Sequence, residues 1–217
     1  MIVAENLRVV LQGRAVLDRV SFQVERGEAV ALVGPNGSGK TSALRCLLGL
    51  LPFDGRASVG GHDSVREPIA ARSLIGYLPQ RAAFGDATAL ETLQFVARVR
   101  RIPEAAVLAA LRRVGLAKYA SVRARTFSGG MQQRLSLAVA LLADPPVLLF
   151  DEPTASLDRA GQRDFLDLAA ELQSEGRTLL LASHRAEEID RLADRVIELV
   201  EGRVVAATRP FALRVVP

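Results

Sequence analysis

The pattern of apolar runs predicts an α/β fold. It comprises a sheet with a parallel core and helices on both faces, an antiparallel β pair ahead of it, and an inserted helical stretch. Three observations carry this. Wholly apolar runs recur at 29–33, 147–150 and 178–182, the form taken by parallel strands buried on both faces. A helical pattern follows each of them in turn. Between 81 and 143, strand signals vanish and helical spacing dominates.

Taken in order, residues 2–11 and 20–24 alternate apolar and polar for part of their length. This predicts two antiparallel strands joined around Gln12-Gly13-Arg14. Arg26-Gly27-Glu28 turns the chain into strand 29–33, and a helix begins near Gly39. Pro52-Phe53-Asp54-Gly55 signals a turn into a short strand over 56–59, closed by Gly60-Gly61. Residues 73–78 read as a further buried strand, ended by Pro79-Gln80.

In the helical stretch, Leu90, Leu93, Phe95, Val96 and Val99 fit one amphipathic helix. Val107, Leu108, Leu111, Val114 and Leu116 fit a second, with Pro103 near its start and Gly115 near its end. Met131, Leu135, Ala138, Leu141 and Leu142 fit a third, stopped by Asp144-Pro145-Pro146. Strand–helix alternation resumes at Val147, with helices over 159–172 (Gly176 as C-cap) and 185–192 and strands at 196–199 and 203–206. The chain therefore reads as one domain over 1–217. Residues 1–80 and 144–217 form the core with its β-subdomain, and 81–143 form the helical subdomain.

Composition excludes several classes. Hydrophobic residues make up 49% and charged residues 24%, ordinary for a globular protein, and with no Trp the core is aliphatic. No apolar run approaches the roughly 18 residues of a membrane span, and the first five residues lack the form of a signal peptide. A cytosolic chain is the expectation. Cys46 is the only cysteine, so no intrachain disulfide forms, and its place on an apolar helix face marks it as a small buried hydrophobe. The net charge of +4 is spread out, since no basic block exceeds pairs such as Arg100-Arg101 and Arg112-Arg113. It reads as solvated surface rather than a nucleic-acid stripe.

The chemistry begins at Gly34-Pro35-Asn36-Gly37-Ser38-Gly39-Lys40-Thr41-Ser42, between an apolar strand and an apolar helix. Strand, glycine-rich turn and helix is the context in which G-x-x-x-x-G-K-[ST] binds phosphate. Backbone N–H groups and the positive end of the helix hold a polyphosphate, Lys40 reaches its β- and γ-phosphates, and the Thr41 hydroxyl ligates Mg²⁺. Lysine is rare here: the only two are Lys40 and Lys118, in a chain with 28 basic residues. A compact ammonium suits this loop better than a guanidinium fork.

Asp151-Glu152 directly follows strand 147–150, where one carboxylate can hold Mg²⁺ and the other can serve as general base to an attacking water. The plainer reading is an acidic pair capping the next helix. Ser128-Gly129-Gly130 opens the third inserted helix and offers either a second phosphate-suited N-terminus or a simple Ser cap. A second such helix start is hard to use on one nucleotide and fits two chains sharing two. His184 follows strand 178–182 at the end where ligands collect, suited to a γ-phosphate or to a structural role. Gln80 is suited to Mg²⁺ or water, and His62 reads as surface.

Together these stations resemble the ATP-binding-cassette (ABC) ATPases over about residues 2–206. Gly34 to Thr41 matches the Walker A loop, Gln80 the Q-loop, and Ser128-Gly129-Gly130-Met131-Gln132 the signature motif usually written L-S-G-G-Q. Val147 to Glu152 matches Walker B with its catalytic glutamate, Ser156-Leu157-Asp158 the D-loop, and His184 the switch histidine. The resemblance implies a P-loop NTPase (RecA-like) core with ATP and Mg²⁺ as cofactors. Glu152, His184 and Lys40 would act in catalysis, and Thr41, Gln80 and Asp151 would hold Mg²⁺. Residues 34–42, Ser128, Gly129, Gly130 and Asp158 would bind nucleotide.

It also implies two cassettes packed head to tail around two ATP molecules and a separate transmembrane permease, with the chain peripheral on the inner face of the cell membrane. Leu11 stands where the family usually offers adenine an aromatic ring, which replaces stacking worth about 1 kcal/mol with aliphatic contact. The runs Ile75–Pro79 and Glu91-Thr92-Leu93 resemble small cassettes of bacterial drug, copper and haem exporters. By this reading, the short stretch after the last strand leaves no accessory domain. The competing class is a soluble cassette mechanoenzyme acting on DNA or ribosomes. Those usually carry two cassettes or a long coiled coil, and neither is present. The signature and His184 argue against a P-loop kinase.

Overall fold

The computed structural model describes residues 1–208. The chain begins with β1 (Ile2–Leu11), β2 (Arg14–Val24), β3 (Ala29–Val33), α1 (Lys40–Leu47), β4 (Asp54–Val59), β5 (His62–Asp63), α2 (Pro68–Ser73) and β6 (Ile75–Leu78). Three helices follow, α3 (Ala89–Arg100), α4 (Ala105–Arg113) and α5 (Gly129–Leu141). The remainder is β7 (Val147–Asp151), α6 (Arg159–Ser174), β8 (Thr178–Ala182), α7 (Ala186–Leu192), β9 (Arg195–Val200) and β10 (Arg203–Thr208).

Two sheets result. A four-stranded antiparallel sheet has the order β2-β1-β4-β5, and a six-stranded sheet has the order β10-β9-β3-β8-β7-β6. In the larger sheet β9, β3, β8, β7 and β6 are mutually parallel, and only β10 runs antiparallel to its neighbour. The wholly apolar runs become its inner strands because successive side chains point to opposite, equally buried faces. Val30, Leu32, Val147, Leu149, Leu180 and Ala182 turn toward α1 and the antiparallel sheet. Ala29, Ala31, Leu148, Phe150, Leu179 and Leu181 turn toward α3–α6. α1 is thereby clasped between the two sheets by Ala43, Leu44, Cys46 and Leu47.

Several expectations need correction. β2 starts at Arg14, since the hairpin continues to the Leu11–Arg14 pair, and β4 starts at Asp54 within the expected turn. Residues 68–73 form α2, begun by Pro68 at its first position, so Ser73 is helical and the strand begins at Ile75. On α3, Phe95 and Val99 are 63% and 67% exposed, and Leu108 on α4 is 48% exposed. The buried stripe of α3 is Ala89, Leu93 and Ala97. Of the apolar residues counted, Leu90 and Val96 pack partly buried against the core beside Leu93, and only Phe95 and Val99 face outward. The cap signals hold. Gly115 and Gly176 take left-handed φ just past α4 and α6, and the Gly176 N–H bonds Gln173 O at 2.8 Å.

Cys46 is fully buried, and burial pushes its thiol up to about 12. Among the described residues no helix is long and apolar enough to cross a membrane.

Candidate active site

Parallel strands deliver their C-terminal ends to one edge of a sheet, where a ligand meets the turns that follow. β3, β8 and β7 are adjacent, so the turns after Val33, Ala182 and Asp151 converge there, with the turn after β6 beside them.

The turn after β3 passes through Gly34, Gly37 and Gly39 at φ of 145°, 81° and 106° before α1 begins at Lys40. Gly34 and Gly39 are required twice over. Their φ disfavours a side chain, and a Cβ would lie 2.1 Å from Leu199 O at Gly34 and 2.6 Å from Leu17 Cδ2 at Gly39. Lys40, 6% exposed, donates from Nζ to Gly34 O at 2.8 Å and Pro35 O at 3.2 Å, and lies 3.7 Å from Glu152 Oε1.

Asp151 ends β7 almost fully buried. It accepts from the Thr41 hydroxyl at 2.8 Å and from the Tyr77 hydroxyl at 3.4 Å. Burial raises its pKa, the Thr41 bond opposes that rise, and the neighbouring Glu152 charge adds to it. Burial, then the Asp151 charge, pushes Tyr77 up to about 12, so the phenol stays a neutral donor.

Glu152 turns the chain off the strand at φ 46°, a left-handed conformation uncommon for a side-chain-bearing residue. Its N–H bonds Ala182 O at 2.8 Å. Its carboxylate meets His184 Nδ1 at 2.9 Å.

Val16, Asn36, Gly37, Gly39, Lys40, Thr41, Ser42, Gln80 and Glu152 line a cleft of about 270 Å³ over this cluster. The structure thus gathers the loop, Gln80 and the Asp151-Glu152-His184 group at one site. Ser38, within the loop, is buried. The Thr41 hydroxyl and Asp151 carboxylate, with Gln80 on the same cleft, are hard oxygen donors of the kind Mg²⁺ takes.

Four expected residues stand apart from it. Ser128 accepts from Met131 N at 3.3 Å as the N-cap of α5, and Asp158 accepts from Gly161 N at 2.9 Å as the N-cap of α6. Gly129 and Gly130 face Ser156 and Leu157. None of the four lines the cleft. Leu11 lies at the hairpin end, 40% exposed and off the cleft, while Val16 of β2 lines it.

A family model described as ABC transporter matches residues 17–155. The chain belongs to the ABC transporter family. It is 34% identical to the linearmycin resistance ATP-binding protein LnrL of Bacillus subtilis, over 95% of this chain and 68% of that protein. With the ABC transporter ATP-binding protein NatA of the same organism it shares 37%, over 88% of this chain and 80% of that one. Human phospholipid-transporting ATPase ABCA7 is 39% identical, but this chain spans only 10% of its length. A solved ATP-binding subunit of an ABC transporter superposes with a TM-score of 0.88 at 29% identity, covering 97% of this chain and 90% of the other. The chain is therefore an ATP-binding cassette, the ATPase domain of the family, in the P-loop NTPase fold.

The sequence alone did not single out Val16, Tyr77, Gln133, Thr154 or Glu188. Val16 and Tyr77 alternate like any strand residue. Gln133 and Glu188 read as polar positions on helices. Only Thr154, two residues past Glu152, carried a positional signal.

Proposed function

We propose that this cassette hydrolyses ATP at a site completed by a second copy and so powers a separate membrane permease. One observation carries the reading. Glu152 meets His184 at 2.9 Å beside Lys40 and the phosphate loop, while Ser128-Gly129-Gly130 stands outside that cleft. The cleft is thus supplied with a base and phosphate donors but lacks the signature amides.

In this reading the loop amides and Lys40 bind the ATP phosphates, Lys40 exchanging its bonds to Gly34 and Pro35 for phosphate oxygens. Thr41, Asp151 and Gln80 would hold Mg²⁺, which when bound would neutralise charge on the phosphate oxygens. Glu152 accepts the proton of the attacking water, and His184 holds that carboxylate in place through Nδ1. The helix start at 128–130 of the partner chain closes over the same phosphates. ATP thereby clamps two cassettes, and hydrolysis releases them. Residues 81–143, the helical subdomain, carry this signature edge and face the permease. Structural relatives support the assembly: one solved neighbour is a dimeric cassette, and another is part of a transporter complex.

Glu152→Gln tests the reading, with light scattering and phosphate release measured together. A dimer that forms with ATP and turns over at least about 100-fold more slowly is expected. A variant that stays monomeric at saturating ATP and hydrolyses normally overturns the base assignment. Recovery of the chain with nucleic acid, and with no membrane subunit, overturns the transport role.

A further inference from the structure

Glu188, on α7, is 1% exposed, yet it carries a carboxyl where the helix turns inward. Its Oε1 accepts a hydrogen bond from the Thr154 hydroxyl, while Oε2 makes no bond of full hydrogen-bond geometry among the described residues, although the Ser183 hydroxyl beside the carboxyl favours its charged form. A favourable place near a helix N-terminus accounts for an exposed acid such as Glu187. It does not account for a buried one turned onto another loop, since a buried carboxyl short of its full set of hydrogen bonds carries a desolvation penalty that a leucine there avoids.

The two ends of this bond are placed by the active-site strands. Thr154, also 1% exposed, lies two residues past Glu152 in the turn that leaves β7. Glu188 lies four residues past His184 in the segment that leaves β8. The bond therefore spans the same two segments whose side chains meet at the 2.9 Å Glu152–His184 contact. On the other side of Thr154, the buried amide of Gln133 on α5 donates to Pro153 O at 2.9 Å. A continuous buried path thus runs from α5, which starts at the signature residues, through Pro153 and Thr154 to Glu188 and the His184 segment.

We propose that Thr154 and Glu188 are positioning residues, joined by a buried bond that holds the Glu152 turn and the His184 segment in register. Gln133 ties that register to the signature helix. The inference rests on the catalytic reading of Glu152 and His184 given above. A 1 Å displacement of such groups is enough to cost about 100-fold in rate, while the loop that binds phosphate is untouched.

The test measures ATP hydrolysis by the whole chain at varied ATP. Thr154→Val and Glu188→Leu each remove the bond. Each is expected to lower kcat about tenfold or more with KM for ATP within about twofold. The double variant is expected to fall no further than the worse single one, because both remove the same interaction. Thr154→Ser keeps a donor and Glu188→Gln keeps an acceptor, so both are expected within about threefold of the native rate. Thr154→Val is isosteric and guards against a Glu188→Leu chain that does not fold. Losses that multiply in the double variant overturn the proposal, as do conservative variants that fall as far as the disruptive ones. Glu152→Gln run alongside separates the two readings. Normal hydrolysis there removes the base assignment and this inference with it. Loss there with a full rate in Thr154→Val overturns this inference alone.

Discussion

Glu188 shows how one buried group ties stability to pH. Burial raises its pKa above the ordinary 4.5, hydrogen bonds from Ser183 and Thr154 oppose the rise, and the nearby Glu152 charge adds to it. Over the interval upward from 4.5 the folded chain retains a proton that the unfolded chain has released. Its contribution is therefore full at low pH and is lost as pH rises through the raised folded value. Glu188→Gln removes this dependence, so the native melting temperature is expected to fall relative to that of the variant between acid and neutral pH. Both chains keep a slope of the same sign from Asp151, raised by its own burial, and slopes of the opposite sign from acids such as Asp63 and Glu91, whose pKa values are lowered by backbone hydrogen bonds. Equal slopes in a paired thermal scan would show that Glu188 does not titrate in that range.

At the scale of single elements, α3 separates appearance from packing. Its start is well determined: the Thr88 hydroxyl accepts from Glu91 N at 3.1 Å, and the Glu91 carboxylate accepts from Thr88 N at 2.8 Å, a capping box. Its buried face was only partly legible from apolar spacing. Leu93 is fully buried, whereas Phe95 is larger and 63% exposed. Leu93→Ala is expected to cost about 2–5 kcal/mol in denaturant unfolding, and Phe95→Ala less than about 1 kcal/mol. Comparable losses from the two would contradict this packing. α2 is a plainer case. Pro68 and a single apolar turn gave too short a signal for periodicity to register, and contacts with β4, β5 and β6 hold it in place.

For the whole molecule, the separation of cleft and signature predicts complementation. Glu152→Gln leaves the signature intact, and Ser128→Arg leaves the loop and the base intact. Each alone is expected to be inactive. Mixed in equal amounts before ATP is added, half of the dimers carry one intact site. About a quarter of the native phosphate-release rate is then expected if the sites act independently. No recovery on mixing would mean that one chain builds the site without the other.

Local chemistry was legible in the sequence because it is local. The loop from Gly34 to Thr41 needs its glycines for left-handed φ and its lysine for charge, and Asp151, Glu152 and His184 each follow an apolar run by a residue or two. Such offsets survive in one dimension. The two-faced burial of β3, β7 and β8 was legible for the same reason, since period two has no polar face to reveal. What only the tertiary structure decided were partnerships across long separations in the chain. It placed the Glu152 carboxylate on His184 and Thr154 on Glu188, seated Val16 rather than Leu11 at the cleft, and kept Ser128 outside it. Those outcomes depend on which strands lie side by side and which helix edge can approach most closely. Both are settled by packing two sheets around α1, a constraint that no window of the sequence contains.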